Sequence, residues 1–167
     1  LAGENRPEDD AAFVEGNTLL TQVLCDAIRA EFVKNGRKIR LIFASSTQAT
    51  LDNPYGASKL QAEVLVQDLA SDIGDAALIF RLPGVFGKWC RPNYNSVVAT
   101  FCYNIARDLP IHVSDPSYTL KLVYIDDVVN EMIDIISVAS VDLHECRVEP
   151  EYAITLGELA DAIYSFR

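Results

Sequence analysis

Tyr55 and Lys59 are four residues apart in a segment with helical features, so both side chains are expected on one helix face. A tyrosine hydroxyl can act as a general acid towards a carbonyl, although its ordinary pKa of about 10 makes it slow near neutral pH. A lysine ammonium one turn away favours the phenolate and is expected to lower that pKa. Ser46, at the end of the preceding apolar run, can hydrogen-bond a substrate carbonyl oxygen. These residue types together predict hydride transfer with a nicotinamide cofactor, whose ribose hydroxyls Lys59 can also hold.

The spacing of Tyr55 and Lys59 is also typical of an ordinary pair on a helix surface, and a YxxxK match alone is a weak signal. Of the seven tyrosines in the chain, however, only Tyr55 has a lysine four residues later. It also follows a Ser-Ser-Thr strand end and precedes another apolar strand. This order of elements favours the catalytic interpretation.

A strand, a helix and a second strand are predicted around this group. The segment 39–44 is almost continuously apolar, as buried parallel strands are. A helix is predicted from Pro54 to about Asp72 with Gly74 at its end, and 77–82 is the next apolar strand. These three elements form a βαβ unit with parallel strands. An earlier helix is predicted from the Pro7 region to about Val33, with an apolar face made of Leu20, Val23, Leu24, Ala27 and Ile28.

The pattern changes after Gly87. We predict a loop at 92–95, a helix from Ser96 to about Arg107 and short strands at 111–113 and 120–125. Two final helices are predicted, one capped by Asp126 and Asp127 and one starting at the capping box of Thr155 and Glu158. The predicted fold is therefore α/β: a partial doubly wound, parallel, Rossmann-like sheet with its catalytic residues in 1–87, and a small mixed α/β substrate-binding lobe in 88–167.

Composition excludes several partners and sites. A formal net charge of −10 and a pI near 4.5 disfavour nucleic acid and anionic membranes. The four cysteines contain no CxxC pair and only two histidines occur, so no metal site is predicted. No signal peptide or membrane-spanning run is apparent, and a cytoplasmic location is expected.

The stretch 76–107 contains no Asp or Glu, although the chain as a whole is acidic. Its positive charges could hold a diphosphate, its aromatic residues could stack on a base or sugar, and its asparagines could bind through their amides. The alternative is a solvated loop whose aromatic side chains belong to the core. The residues concerned are Arg81, Lys88, Trp89, Arg91, Asn93, Tyr94, Asn95 and Arg107.

A set of motifs resembles the extended short-chain dehydrogenases in identity and order. They are Leu1-Ala2-Gly3, Asn17, Leu41-Ile42-Phe43-Ala44-Ser45-Ser46, Asn53-Pro54-Tyr55-Gly56-Ala57-Ser58-Lys59, Arg81-Leu82-Pro83-Gly84-Val85-Phe86-Gly87 and Tyr124-Ile125-Asp126-Asp127-Val128. Within that superfamily the chain is most similar to the capsular-polysaccharide UDP-sugar reductases. The narrower likeness lies in Thr50-Leu51-Asp52, in the segment from Gly87 to Ser96 and in Thr155-Leu156-Gly157-Glu158.

The resemblance implies NAD(P)H-dependent reduction of the 4-keto group of a UDP-2-acetamido-2,6-dideoxyhexos-4-ulose during capsular or surface polysaccharide biosynthesis. It implies Ser46, Tyr55 and Lys59 as the catalytic residues and NADP or NAD as the cofactor. The cofactor would be bound by Ala2, Gly3, Tyr55, Lys59 and Pro83. The UDP-sugar would be bound by Thr47, Gln48, Lys88, Arg91, Asn93, Tyr94 and Asn95.

Two departures and several alternatives accompany the resemblance. Gly84 stands where the family leads us to expect a substrate-facing asparagine, and Asn17 has either a structural or a proton-relay role. No GxxGxxG loop occurs, so the chain is expected to be a fragment of a homo-oligomeric protein, without the nucleotide-binding half and without the C-terminal metal-binding cupin domain of the reductases. The alternatives are a 4-epimerase, a 4,6-dehydratase or a non-catalytic module. The nine-residue interval from Ser46 to Tyr55 disfavours an epimerase, and Thr47-Gln48 after Ser46 disfavours a dehydratase.

Overall fold

The computed structural model describes residues 3–75, 77–137 and 146–167 of the 167-residue chain. Its contacts divide the chain into two compact units, the first formed by Leu1–Leu82 with Met132–Arg147 and the second by Pro83–Glu131 with Val148–Arg167. The functional division predicted at Gly87 stays a prediction.

The elements are α1 (Ala11–Phe13), a π-helical segment (Val14–Leu19), α2 (Leu20–Asn35), β1 (Ile42–Ser46), a 3-10 helix (Thr47–Thr50), α3 (Pro54–Ile73), β2 (Leu78–Leu82), β3 (Gly84–Phe86), α4 (Val97–Ile105), β4 (Thr119–Tyr124), α5 (Ile125–Ser137), β5 (Tyr152–Thr155) and α6 (Leu156–Ser165).

The first unit contains the predicted βαβ arrangement. Strands β1 and β2 pair in parallel with Ile42 opposite Leu78 and Ser46 opposite Leu82, and α3 connects them. Cys146 extends this sheet through a parallel bridge to Phe80. The prediction of an α/β fold with a parallel sheet is confirmed. Strand β1 starts later than predicted and includes both serines of the Ser45-Ser46 pair.

The helical region before β1 differs from its prediction in two respects. It begins at Ala11 and not near Pro7, and it contains the π-helical segment Val14–Leu19, whose flanking residues Phe13 and Leu20 keep helical backbone angles. A π turn has one more residue than an α turn, so apolar periodicity could not predict it. The helix ends as expected at Gly36, whose φ of 65° is left-handed.

The core of the first unit uses a different face of α2 from the one predicted. Thr21, Cys25 and Ile28 are buried, while Leu20, Val23 and Leu24 are exposed. The predicted apolar face was therefore wrong except for Ile28, because residues of α3 pack against the row that contains Cys25 and Ile28. The other buried members of this core come from α3, from β2 and from the residue before it: Val66, Leu69, Ala70, Ile73, Ala77 and Ile79.

The second unit contains a three-stranded mixed sheet of order β3-β4-β5. Strand β3 is parallel to β4, and β5 is antiparallel to it. The predicted strand at 111–113 was wrong, although Ile111 and Val113 pack against the core that α4 and α6 form. The capping box of Thr155 and Glu158 is confirmed at the start of α6. Asp126 and Asp127 lie in the first turn of α5 rather than at its cap.

Among the described residues, no helix has both the length and the apolarity needed to cross a bilayer. Within the same ranges, no three His, Cys, Asp or Glu side chains are grouped so that they could hold a metal ion. His144 lies outside the described residues.

Candidate active site

The start of α3 positions Tyr55 and Lys59. Asn53 has extended backbone angles, and its Oδ1 accepts a hydrogen bond from the Gly56 amide at 2.8 Å, which satisfies one of the free N–H groups of the first turn. Pro54 occupies the first helical position, where a missing N–H does no harm. Tyr55 and Lys59 then follow one turn apart on the same face. The local sequence thus determines where the helix begins and which way both side chains project.

Tyr55 is half-buried and lies near Ser46, the last residue of β1, which acts on its pKa. Its ring lies 5.6 Å from the ring of Phe13, measured between centroids. Ser46 is itself buried, and its Oγ accepts a hydrogen bond from the Gln48 amide at 3.2 Å. The serine and the tyrosine predicted from the sequence therefore lie close enough for the Ser46 hydroxyl to influence the pKa of Tyr55.

Burial raises the pKa of Tyr55, and the nearby Ser46 hydroxyl opposes this rise. The expectation that Lys59 lowers the pKa of Tyr55 was therefore wrong for this structure. The Lys59 Nζ lies 5.8 Å from the centroid of the tyrosine ring. An ammonium beside the ring offers the hydroxyl oxygen little compensation for the water lost on burial. Tyr55 accordingly keeps its proton more firmly than an exposed tyrosine does.

Lys59 is buried, with 7% of its surface exposed. Its Nζ donates a hydrogen bond of 3.3 Å to the Ala44 carbonyl on β1 and lies 5.3 Å from the Phe43 ring centroid. Burial lowers the pKa of Lys59, and the negative charge of Glu63 opposes this shift. The ammonium is thus stabilised by one carbonyl, by aromatic faces and by a carboxylate.

Gly56 allows the turn after Ser46 to approach α3 closely. A Cβ atom at residue 56 would lie 2.2 Å from the Gln48 carbonyl oxygen and 2.8 Å from that of Leu51. Only glycine fits at this distance, because both neighbours are backbone atoms. Sequence reasoning missed Gly56, although a glycine in the first turn of a predicted helix is itself a sign of close packing.

Asn17 and Gly3 lie close to each other, and Gly3 is also close to Lys59. Asn17 is buried in the π-helical segment, and its side chain accepts from the Glu4 amide and donates to the Glu4 carbonyl, both at 3.0 Å. Its Nδ2 also donates to Ser58 Oγ at 3.0 Å. Gly3 has a φ of 147°, and a Cβ there would lie 2.9 Å from Asn17 Oδ1 and 3.7 Å from Lys59 Nζ. These contacts support a structural role for Asn17; its participation in a proton relay stays a prediction.

The acid-free stretch of the sequence is not free of acidic partners in the fold. Arg81 forms an ion pair with Glu63 at 2.6 Å, and Lys88 forms one with Asp126 at 2.6 Å. The absence of Asp and Glu from 76–107 therefore does not leave these cations without competing carboxylates, because distant segments supply them. The diphosphate role of Lys88 therefore has a competitor in Asp126.

The remaining predicted substrate residues are exposed at two places. Thr47 and Gln48 lie in the 3-10 helix of the first unit. In the second unit the Arg91 guanidinium lies 5.5 Å from the Tyr94 ring centroid, and Asn93 has a left-handed φ of 55°. Trp89 is 96% exposed, so the core alternative for its side chain was wrong. Residues 93–95 of this loop are all exposed.

The structure describes two further positions that the sequence analysis discussed, Pro83 and Gly84. Pro83 lies between β2 and β3, and Ala2 is outside the described residues. Gly84 lies on β3, where a Cβ would come 2.9 Å from a methyl group of Leu122 and 3.2 Å from the Lys121 carbonyl oxygen. A larger residue, such as the asparagine that the resemblance led us to expect, would require β4 to move.

The sequence profile of the NAD dependent epimerase/dehydratase family matches residues 2–142. The chain belongs to this family. It is 52% identical over 167 residues to a Pseudomonas aeruginosa protein named UDP-2-acetamido-2,6-beta-L-arabino-hexul-4-ose reductase, a match that covers 100% of this chain and 44% of that protein. The chain thus spans less than half the length of this curated relative.

Solved structures extend this likeness to the fold. The capsular polysaccharide assembling protein CapF from Staphylococcus aureus is similar with a TM-score of 0.74 and 43% identity, over 85% of this chain and 40% of that one. The UDP-glucuronic acid 4-epimerase from Bacillus cereus in complex with NAD is similar with a TM-score of 0.83 and 18% identity, over 99% of this chain and 58% of that one. The second likeness concerns the fold alone and confirms the Rossmann-like prediction.

The first unit of this epimerase/dehydratase-family chain has side chains that fit the nicotinamide end of a dinucleotide. Tyr55 and Lys59 offer a hydroxyl and an ammonium on one helix face, and ribose hydroxyls bind to such groups. The backbone of Gly3 lies next to the same ammonium and has no side chain to block the approach of a ligand. The chemistry of these donors suits the cofactor that the family name indicates.

Proposed function

We propose that the protein reduces the 4-keto group of a UDP-2-acetamido-2,6-dideoxyhexos-4-ulose with NADPH or NADH, in the biosynthesis of a capsular or surface polysaccharide. The observation that carries the proposal is the placement of Tyr55 and Lys59 one turn apart on α3, with Ser46 close enough to act on the pKa of Tyr55. The name of the Pseudomonas aeruginosa relative and its 52% identity support the choice of substrate.

Each catalytic side chain has a separate proposed role. Ser46 donates a hydrogen bond to the 4-keto oxygen and orients the carbonyl, and Tyr55 delivers a proton to that oxygen as it becomes an alcohol. The nicotinamide supplies the hydride when the cofactor is bound. Lys59 holds the cofactor ribose and keeps a positive charge near the reacting oxygen. Because burial raises the pKa of Tyr55, its hydroxyl is protonated at neutral pH, which is the form that reduction requires.

The substrate residues remain proposals of two kinds. Thr47 and Gln48 would contact the sugar near Ser46, and Lys88, Arg91, Asn93, Tyr94 and Asn95 would bind the UDP group. Support for the second set comes from its exposed positive charges and from the stacking of Arg91 on Tyr94. Arg91 is the stronger candidate for the diphosphate, because Lys88 is already paired with Asp126.

We further propose that the protein is cytoplasmic, where reduced nicotinamide cofactors and nucleotide sugars occur, that NADP is its cofactor, with NAD as the alternative, and that it is a homo-oligomer. Support for self-association comes from six large apolar side chains that are exposed on α2, on the residue before it and on α3: Leu19, Leu20, Val23, Leu24, Leu60 and Val64. Exposed apolar groups of this kind are typical of protein interfaces. Sedimentation equilibrium tests this directly, since a monomer at micromolar concentration would contradict it.

A Tyr55→Phe variant tests the reduction. In the protein expressed from its complete reading frame, we expect kcat to fall about 10²–10⁴-fold while affinity for the UDP-sugar is retained, because only the proton donor is lost. Tyr164→Phe, at an exposed position on α6, is the matched control. Turnover within a few-fold of the unsubstituted enzyme would contradict the assignment.

Product analysis separates the alternative functions. A reductase converts one equivalent of NADPH for each 4-keto sugar consumed, whereas a 4-epimerase or a 4,6-dehydratase causes no net cofactor oxidation. A non-catalytic module would show no turnover with any of these substrates. Proton NMR of the sugar product together with absorbance at the NADPH band distinguishes the four cases.

A further inference from the structure

Glu63 is an ionisable residue that the proposed reaction does not use, and it is 2% exposed. It lies on α3, one helical turn beyond Lys59 and two turns beyond Tyr55. Arg81 on β2 binds its carboxylate in a bidentate manner: Arg81 Nε donates to Oε1 at 2.9 Å, and Nη2 donates to Oε2 at 2.6 Å. Ser45 Oγ on β1 donates to Oε1 at 2.5 Å.

These donors compensate the Glu63 carboxylate for the water that it loses on burial. An unpaired carboxyl group in a protein interior takes up a proton, whereas charge-assisted hydrogen bonds stabilise the carboxylate. Arg81 remains partly exposed, so the cation does not lose all of its hydration. The Glu63 carboxylate therefore lies inside the first unit with its hydrogen-bonding partners in place, one helical turn from Lys59.

Glu63 links the elements that carry the catalytic residues through its contacts with Ser45 and Arg81 and through its charge effect on Lys59. Ser45 directly precedes Ser46 on β1, so Glu63 holds the strand one residue before the serine that lies near Tyr55. Within α3, the negative charge of Glu63 acts to raise the pKa of Lys59. Arg81 fixes the carboxylate to β2, which pairs with β1.

We propose that Glu63 is a positioning residue for the reduction: its carboxylate, oriented by Arg81, fixes the end of β1 through Ser45 and supplies the negative charge that holds the Lys59 ammonium in place. The inference rests on the proposed function for its catalytic consequence. Its structural consequence, an effect of Glu63 on the state of Lys59, is independent of any turnover.

The charged and titratable groups around Lys59 determine the sign of the expected effect. Tyr55 and Glu63 belong to its own helix and Arg81 comes from β2, while β1 contributes the Ala44 carbonyl and the N-terminal segment contributes Asn17 and Gly3. Burial lowers the pKa of Lys59 and Glu63 counteracts this. A Glu63→Gln change removes the attraction and leaves the charge of Arg81, so the pKa of Lys59 should fall further.

The experiment measures the pKa of Lys59 directly by NMR and, separately, the pH dependence of turnover. In protein expressed from its complete reading frame with 13Cε-labelled lysine, NMR titration follows Lys59, whose signal is assigned by its absence from Lys59→Met. In parallel, kcat/KM of keto-sugar reduction is measured against pH. For Glu63→Gln we expect the Lys59 titration and the alkaline limb of kcat/KM to move down by about one pH unit, the scale of a charge pair one turn apart at partial burial.

Two further variants separate positioning from simple stabilisation. Asp72→Asn makes the same chemical change on α3 at an exposed ion pair with Arg29, and it should move neither titration. Restoring charge balance with Glu63→Gln/Arg81→Gln should return the alkaline limb towards that of the unsubstituted enzyme, which a merely structural role would not do. If Glu63→Gln does not fold, Glu63→Asp carries the test: it keeps the charge but moves the carboxylate away from Ser45 and Lys59, so both readouts should shift in the same direction by a smaller amount.

The possible results distinguish the positioning role of Glu63 from the proposed reductase function. Displaced Lys59 titrations in the directions stated support the proposal, even if the protein proves to have no reductase activity, which would overturn the proposed function alone. An active enzyme in which Glu63→Gln lowers stability but leaves the Lys59 titration and the alkaline limb unchanged overturns the positioning role of Glu63.

Discussion

Gly56→Ala is the smallest substitution that should disturb the placement of Ser46 near Tyr55. The added methyl group would lie 2.2 Å from the Gln48 carbonyl oxygen, while real Cβ atoms essentially never approach closer than 3.0 Å. The 3-10 helix and the first turn of α3 must therefore separate by about 0.8 Å. No side-chain rotation can relieve the clash, because the opposing atoms belong to the backbone.

The magnitude reflects two opposing effects. Overpacking of this kind costs about 1–3 kcal/mol, and the clash with backbone favours the upper part of that range. Replacing glycine by alanine inside a helix recovers about 0.5–1 kcal/mol. We therefore expect a net loss of roughly 1–2 kcal/mol in the free energy of unfolding. A displacement approaching 1 Å between reacting groups can lower the rate by about 10²-fold, so kcat should fall far more than stability explains.

Urea unfolding and steady-state kinetics on the protein expressed from its complete reading frame measure both effects. Gly36→Ala is the control, because a Cβ there has no atom within 4 Å and only the left-handed φ of 65° is strained. It should cost about 1–2 kcal/mol and leave kcat unchanged. Gly56→Ala with normal stability and normal kcat would refute the argument that the close approach positions the catalytic residues.

The remaining predictions concern capping, burial and charge. Asn53→Ala should lower the free energy of unfolding by about 1 kcal/mol through loss of the cap on α3, whereas Asn35→Ala should not; equal effects in urea titrations would contradict this. Lys59→Met should abolish reduction but raise the free energy of unfolding at pH 7, because the folded-state pKa of Lys59 lies below its unfolded value. That gain should shrink as pH rises towards about 10.4, and a pH-independent difference would be inconsistent with a buried ammonium. Arg91→Ala should weaken UDP binding by about 1.5–3 kcal/mol in calorimetry, while Arg107→Ala, which removes another arginine stacked on a tyrosine, should have no effect; equal losses would assign Arg91 to the general surface.

The parts of the fold that were predictable depend on residues within about one turn of each other. Asn53 and Pro54 define the start of α3, Gly74 defines its end, and Thr155 with Glu158 caps α6. Strands β3 and β5 were missed, since three and four residues carry little pattern of their own. They are strands because β4 offers them hydrogen-bonding partners on both of its edges. Pairing of this kind is a property of the sheet and not of the short segment.

The same distinction holds in the candidate site. Sequence alone determined that Tyr55 and Lys59 share a helix face and that Ser46 ends the preceding strand, because helical spacing and an apolar run decide both. Only tertiary structure decided that Glu63 meets Arg81 and Ser45, that Asp126 takes Lys88, and that burial raises the pKa of Tyr55. Ion pairs and desolvation depend on which distant segments pack together. A segment of sequence shows which residues are charged, but not the distances between them or the desolvation that determine the effect of those charges.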